Sequence, residues 1–493
     1  MKKIAFLILG VAIGAASVFA GGKSDGSQAG GMREVTFLIN GSKTDRMTQF
    51  MANDLPKLLA EKGLNIKVDL QVQPWGDANS KAELRYASGE DFTYWTDMMF
   101  IASCVGKGYL YDITDLIPKY AQNVLREIDK ASFDSFSLNG RNYGLPVGNK
   151  PNASEAFSIT ARTDLMAEVG MTTLKTLEDL EKFYTAAKKL HPDYIGSGLP
   201  KEPLGLVHML SRYISDKNLL FLNELVITDA SANNAQIWSY LESDEFRKYA
   251  AIARRWNEMG IIDPQVLSDS AFTLSKWTSG QAMFYAGAAG RPWEQIGQMK
   301  ALNPKAELRN FFIGDAKGPL VSRGTYSTAF QISANAKHPE AYLEVFNLIY
   351  SDQKTYNYMT YGIEGVDYTL NAQGKIATRP NSQVFLPEWA PNNAKWQIFE
   401  SIISNEVIND YLHWNDGSIL QKDIGFIFDV EPVKVEYAQI QAVTSEYVPP
   451  ITYGFVNYDT AYPELQRRLK AAGIDKYIAE FQKQFSTWYN NKK

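Results

Sequence analysis

The chain has 493 residues, 45% of them hydrophobic and 21% charged, with a net charge of −5. That length exceeds one ordinary core and calls for two or more domains, and the slight acidic excess excludes the basic footprint of a nucleic-acid binder. A single cysteine, Cys104, excludes an intramolecular disulfide and a cysteine metal site, and four scattered histidines (His191, His208, His338, His413) have no metal-ligand spacing.

Met1-Lys2-Lys3 is a basic opening, residues 4–19 are an apolar run, and Val18-Phe19-Ala20 places small residues at −3 and −1. This predicts a signal peptide over 1–20 with cleavage after Ala20, hence an exported protein. Retention of the segment as an anchor is the competing reading. Gly21 stands where a lipoprotein would carry its cysteine. Residues 21–33 are a glycine- and serine-rich linker without core-forming pattern.

Strand character begins at 35–40. Helical periodicity follows over 47–62, with Phe50, Met51, Leu55, Leu58 and Leu59 on one side. Residues 65–72 then alternate as a second strand. Strand–helix–strand predicts an α/β sheet with ligand sites at its strand ends. Further on come a helix to Ala87, a strand over 92–102 and an Asn139-Gly140 hairpin turn. Thr176 starts a helix with an acidic third position, carried by Leu177, Leu180, Phe183, Tyr184, Ala187 and Leu190. Another amphipathic helix spans 246–259. The stretch WTSGQAMFYAGAAGRPW (277–293) reads as a buried strand and a glycine turn, flanked by Trp277 and Trp293 with Arg291 beside them. It is expected to form one wall of a ligand cleft. Residues 327–332 are a strand, and Pro339 starts a helix. Near the end, Tyr477, Ile478, Phe481, Phe485 and Trp488 form a helical stripe that must pack on something.

The chain has no phosphate loop, no dinucleotide fingerprint and no calcium loop, and no cofactor is expected. Glu364 with Asp367 is the one carboxylate pair that stands out for glycosidase chemistry. Glu364 reads either as a catalytic acid or, more simply, as an acceptor for a sugar hydroxyl. A sugar offers an apolar C–H face to aromatic planes and a rim of hydroxyls to polar side chains. The rings that could stack in this way are Trp75, Trp277, Trp293, Tyr326, Tyr361, Trp389 and Trp414. The polar candidates are Asn40, Asn149, Arg291 and Glu364.

Several segments carry a family resemblance. Gln73-Pro74-Trp75-Gly76-Asp77 with Ala87-Ser88-Gly89-Glu90, YLYDITDLI (109–117), NGRNYGLPV (139–147), IIDP (261–264) and the W-x-x-G-Q-A-M of 277–283 resemble the extracellular solute-binding proteins of bacterial ABC sugar importers. YGIEGVDY (361–368) and the helical end (EPVK at 431–434, AAGIDK at 471–476, then Trp488) resemble a subclass associated with aldouronate and other oligosaccharides. The resemblance implies a type II periplasmic-binding-protein fold, two α/β lobes around a cleft. Lobe 1 is expected over 34–147 plus 327–360, lobe 2 over 148–326 plus 361–430, and a C-terminal helical segment over 431–493. It implies capture of an oligosaccharide, in which Arg291 and Lys150 would suit a uronate carboxylate, and delivery to membrane permease subunits. A periplasmic monomer, not an enzyme, is expected. An exported carbohydrate-active enzyme and a sensory sugar-binding protein are the alternatives.

Overall fold

The computed structural model describes residues 31–74, 78–146, 148–149, 151–152, 158–197, 205–268, 275–322, 328–380, 383–387 and 390–492. The signal segment 1–20 and all but the end of the 21–33 linker lie outside the described residues. Numbered along the chain, the strands of the three main sheets are β1 (Arg33–Asn40), β2 (Ile66–Gln73), β3 (Thr93–Asp97), β4 (Leu145–Pro146), β5 (Ile159–Arg162), β6 (Ile195–Ser197), β7 (Leu219–Phe221), β8 (Val226–Asp229), β9 (Ile237–Ser239), β10 (Ala282–Ala286), β11 (Leu308–Phe311) and β12 (Thr328–Ile332).

The first lobe is built on a sheet of order β2-β1-β3-β12-β4. β1 pairs in parallel with β2 and β3, whereas β12 runs antiparallel to β3 and to β4. Phe37 in the middle of β1 is fully buried among Phe330, Tyr342, Phe346 and Phe385. The helix expected over 47–62 runs from Asp45 to Glu61, but its middle, Phe50–Asp54, is a π turn. Pro56 has no N–H to donate back one turn, and the Leu55 N–H reaches Phe50 O instead. The strand expected over 92–102 ends at Asp97, and Met98–Gly106 is a helix. A short apolar run does not tell a strand from a buried helix. The Asn139-Gly140 turn is as expected, with φ of 54° and 75° between Ser137–Leu138 and Arg141–Asn142.

The second lobe holds a sheet of order β11-β5-β10-β6, in which β10 is parallel to β6 and antiparallel to β5. A smaller antiparallel sheet β9-β8-β7 lies in the same core. Thr176 caps the helix Leu177–Leu190 in a full capping box with Asp179. The lobe boundary differs from expectation. Tyr361, Tyr368, Ile376, Val384, Phe385, Leu386, Ala390 and Trp396 belong to the first lobe's core; Ala394 packs against the second core, and Phe399 is buried in it. The expected second-lobe segment 361–430 is therefore divided between the lobes.

The C-terminal segment folds into the helices Lys434–Thr452, Tyr458–Ala471 and Ile474–Lys492, all packed on the second lobe. Gln482 ties the last of them to β9, accepting from Ile237 N–H at 3.0 Å and donating to Ala235 O at 2.7 Å. No described helix is long and apolar enough to cross a membrane.

Candidate ligand-binding cleft

Strand direction locates the cleft. The parallel strands β1, β2 and β3 end at Asn40, Gln73 and Asp97. β4 leaves the first lobe at the same end, and β12 enters there, because Thr328 pairs with Asp97 and Ala329 with Pro146. In the second lobe β5 starts, and β6 and β10 finish, at one end of the sheet, where Ile159 faces Ala286 and Phe311. The connections between lobes join these two ends. Ligands of open α/β sheets bind outside the carboxyl ends of the strands.

On the first-lobe wall, Asn40 is buried and already committed. Its Nδ2 donates to Tyr94 Oη at 3.1 Å, and its Oδ1 accepts from Gln73 Nε2 at 3.1 Å. Tyr94 Oη donates on to Asn79 Oδ1 at 2.9 Å. Asn40 thus anchors the strand ends that frame the wall.

On the second-lobe wall, β10 runs into the turn Gly287-Ala288-Ala289-Gly290. A Cβ on Gly287 would fall 2.0 Å from Ser158 Oγ, so only glycine fits against β5. Gly287 N–H donates to Ser158 O at 2.7 Å, and Asn310 Nδ2 donates to Ala288 O at 2.7 Å. The strand and glycine turn are as the sequence indicates. The helix Arg291–Leu302 follows, with Gly290 at a cap position that offers no side chain. Arg291 lies over the Tyr285 ring, its Cζ 5.1 Å from the centroid, and its buried Nε has no partner among the described residues. Trp293 is mostly buried. Phe399 and Tyr411 meet it edge-on at 5.8 and 5.7 Å, and its buried Nε1 also lacks a partner among the described residues.

Asn149 sits in the first connection. Its Nδ2 donates to Glu127 O at 2.7 Å, its N–H to Asn392 O at 2.5 Å, and its carbonyl accepts from Ala394 N–H at 2.9 Å. It therefore splices two inter-lobe segments, a role better described as hinge than as ligand contact.

Other candidates take different places. Trp277 is fully buried, stacked on Tyr285 at 5.3 Å with its Nε1 donating to Gln295, so it is core and not a cleft ring. Tyr361 is likewise fully buried in the first lobe, its Oη accepting from Ile398 N–H at 3.1 Å. Glu364 is exposed on the turn after Tyr361. The buried carboxylate of that motif is Asp367, which accepts from Arg46 Nε at 2.5 Å and Nη2 at 2.7 Å. An acid locked in this way cannot serve as the second member of a glycosidase pair. Trp414 packs on Phe312 at 5.2 Å and lines a cavity on the second lobe. Trp75, Tyr326, Trp389 and Lys150 lie outside the described residues. Sequence reasoning missed Arg46, Asn392, Asn393 and Tyr411. The dipeptide Asn392-Asn393 was the one available signal, since two fully buried asparagines need a network.

Residues 40–356 match the model of the bacterial extracellular solute-binding protein family, and residues 423–490 match a domain of unknown function, DUF3502. A carbohydrate ABC transporter substrate-binding protein of Streptococcus pneumoniae is 24% identical over 100% of this chain and 99% of its own length. The polygalacturonan/rhamnogalacturonan-binding protein YtcQ of Bacillus subtilis is 24% identical over 56% of this chain and 55% of its own. Among solved structures, the N-glycan transport solute-binding protein NgtS of Streptococcus pneumoniae aligns with a TM-score of 0.76 at 20% identity, covering 94% of this chain and 100% of that one. The two-lobed α/β fold is shared with these structures. With more than half of its length matched, the chain belongs to the bacterial extracellular solute-binding protein family.

Proposed function

We propose that this protein is the substrate-binding component of an ABC importer, capturing an oligosaccharide between its lobes and delivering it to membrane permease subunits. The observation that carries this reading is the meeting of two sheets by their ligand-binding ends, with inter-lobe connections at that same junction. The relatives named for carbohydrate transport, and the N-glycan transport protein that shares the fold, support a sugar as the solute. Ligand touching both walls favours the closed form, and that differential contact is the whole mechanism. No bond in the sugar is broken.

Arg291 is the second-lobe residue we assign to the ligand, because its buried Nε and the neighbouring indole N–H of Trp293 are donors without acceptors among the described residues. A sugar hydroxyl or carboxylate supplies what they lack. Export with cleavage after Ala20, and action as a monomer, complete the reading.

A thermal-shift screen of the chain from Gly21 onward against neutral and uronic oligosaccharides tests it. A ligand that binds only the folded state raises the melting temperature, by about 2.7 kcal/mol of stability at a hundredfold excess over Kd. The expected result is a rise with one sugar class and recovery of that sugar intact by mass spectrometry. Recovery of cleaved sugar would establish an enzyme, and a flat screen would remove carbohydrate as the solute.

A further inference from the structure

We propose that a cavity at the free edge of the second lobe is a separate saccharide subsite, taking one neutral hexose unit of an oligosaccharide long enough to extend past the cleft. This rests on the carbohydrate reading above. β11 is the edge strand of its sheet, with no strand neighbour on one side among the described residues. There a cavity of about 580 Å³ opens, within the roughly 300–1,000 Å³ usual for small-molecule sites. Phe311, which lines it, pairs with Ile159 at the cleft end of the sheet. Asn415, between two lining residues, accepts through Oδ1 from Asn152 N–H at 2.9 Å, beside the first connection. The cavity therefore adjoins the cleft but is built from one lobe alone.

Its lining has the composition of a sugar site. Phe312 is held between Trp414, at 5.2 Å, and the Arg212 guanidinium, at 5.0 Å, which fixes an apolar surface continued by Leu320. Thr172, Thr173, His413 and Asp416 are exposed residues of its lining.

The charges select a neutral guest. Arg309 is the lining arginine, and it is already held by Glu406 and by Asp410, with Nε 2.9 Å from Asp410 Oδ2. His413 Nδ1 lies 2.8 Å from Asp416 Oδ2. Asn310 is fully engaged, accepting from Thr160 and donating to Ala288. Two carboxylates thus face the cavity with no uncommitted cation among its lining residues, which repels a uronate. Hydroxyls, each both donor and acceptor, fit the exposed Asp416, His413 and threonine groups.

The test is calorimetric titration of the whole mature chain with neutral gluco- and manno-oligosaccharides from dimer to heptamer, alongside galacturonan oligomers. Two variants are compared: His413→Ala/Asp416→Ala, which removes exposed polar groups, and Thr173→Trp, which fills the cavity from its exposed rim. Both variants are expected to bind the shortest bound sugar like wild type and the longest about tenfold more weakly. Equal affinity of wild type and variants for the longest sugar overturns the subsite. Binding of galacturonan alone overturns its neutral character. Absence of any sugar binding by wild type overturns the carbohydrate reading and the subsite with it.

Discussion

The Asp367 carboxylate is fully buried, yet it is charged and fully occupied. Burial alone would raise its pKa. Hydrogen bonds from Arg46 and from Ile363 N–H outweigh that cost and hold the group below the usual carboxylate range. Gly362, with φ of 91°, makes room, since a Cβ there would fall 2.4 Å from Asp367 Oδ2. A carboxylate with a depressed folded-state pKa stabilises the fold above the unfolded value of about 3.9, and that stability is lost as pH falls through the folded value. Asp367→Asn is expected to cost about 3–5 kcal/mol at pH 7, because Arg46 loses its main partner and keeps only Asp54 at 2.8 Å. The deficit relative to wild type should shrink as pH drops below about 4. Urea midpoints measured from pH 7 to pH 3 check this, and a constant deficit across that range would refute the ion pair as its source. The sequence marked this motif but pointed to Glu364. Two acids among glycines look alike until Arg46, 321 positions away, distinguishes them. Trp277 is a parallel case: an indole beside a glycine turn suits a core or a cleft equally, and only its stacking on Tyr285 decides.

Elements were more legible than site residues, because periodicity reports burial and burial is most of what an element does. The C-terminal stripe shows this. Tyr477, Phe481 and Phe485 are buried on one face of the last helix, and Phe426 and Phe428 receive them, with Phe428 stacked on Phe481 at 4.5 Å. Spacing dictated the stripe. It could not supply the receiving surface, which comes from a non-helical segment and from the small β7–β9 sheet. Where one apolar run can serve two conformations the reading failed, as at the helix Met98–Gly106 taken for strand. Phe481→Ala removes a ring that is 2% exposed and is expected to destabilise the chain by about 3–5 kcal/mol. Because the helix packs on the small β7–β9 sheet and on Phe426 and Phe428, sugar affinity should stay within about twofold. Urea unfolding and calorimetry on the same sample check both parts. A loss under about 1 kcal/mol would mean that the C-terminal helices unfold separately from the second lobe.

At the scale of the whole molecule, the question is where the lobes turn. Sequence could place the crossings of residues 147 and 327 by resemblance, but not the third, because the segment 361–396 carries no pattern that says which core it joins. The structure gives the core of that segment to the first lobe and ties it to the second at Lys375–Ile376 and at Asn392. Asn393 N–H donates to Tyr356 Oη at 3.0 Å, within the first core. Asn392 and Ala394 bracket Asn149, whose side chain holds Glu127 O, also in the first lobe. Against these stand the bonds to the second lobe: Ile376 N–H donates to Phe399 O at 2.9 Å, Ile376 O accepts from Ser401 N–H at 2.7 Å, Lys375 Nζ donates to Ile403 O at 2.9 Å, and Tyr411 Oη donates to Asn392 Oδ1 at 3.1 Å. Rigid rotation of the lobes loads these links while leaving the bonds within the first lobe intact, and the Tyr411 hydroxyl is the buried side-chain link among them. Tyr411→Phe removes it at the cost of one unsatisfied buried acceptor, about 1–3 kcal/mol. The variant is expected to sample a wider range of lobe angles without ligand, so its small-angle scattering radius of gyration should differ from wild type. Saturating sugar holds both walls and should bring the two profiles together. Matching profiles in both states would show that Asn392 and Tyr411 move as one body, and would shift the pivot to the connection through 396–399.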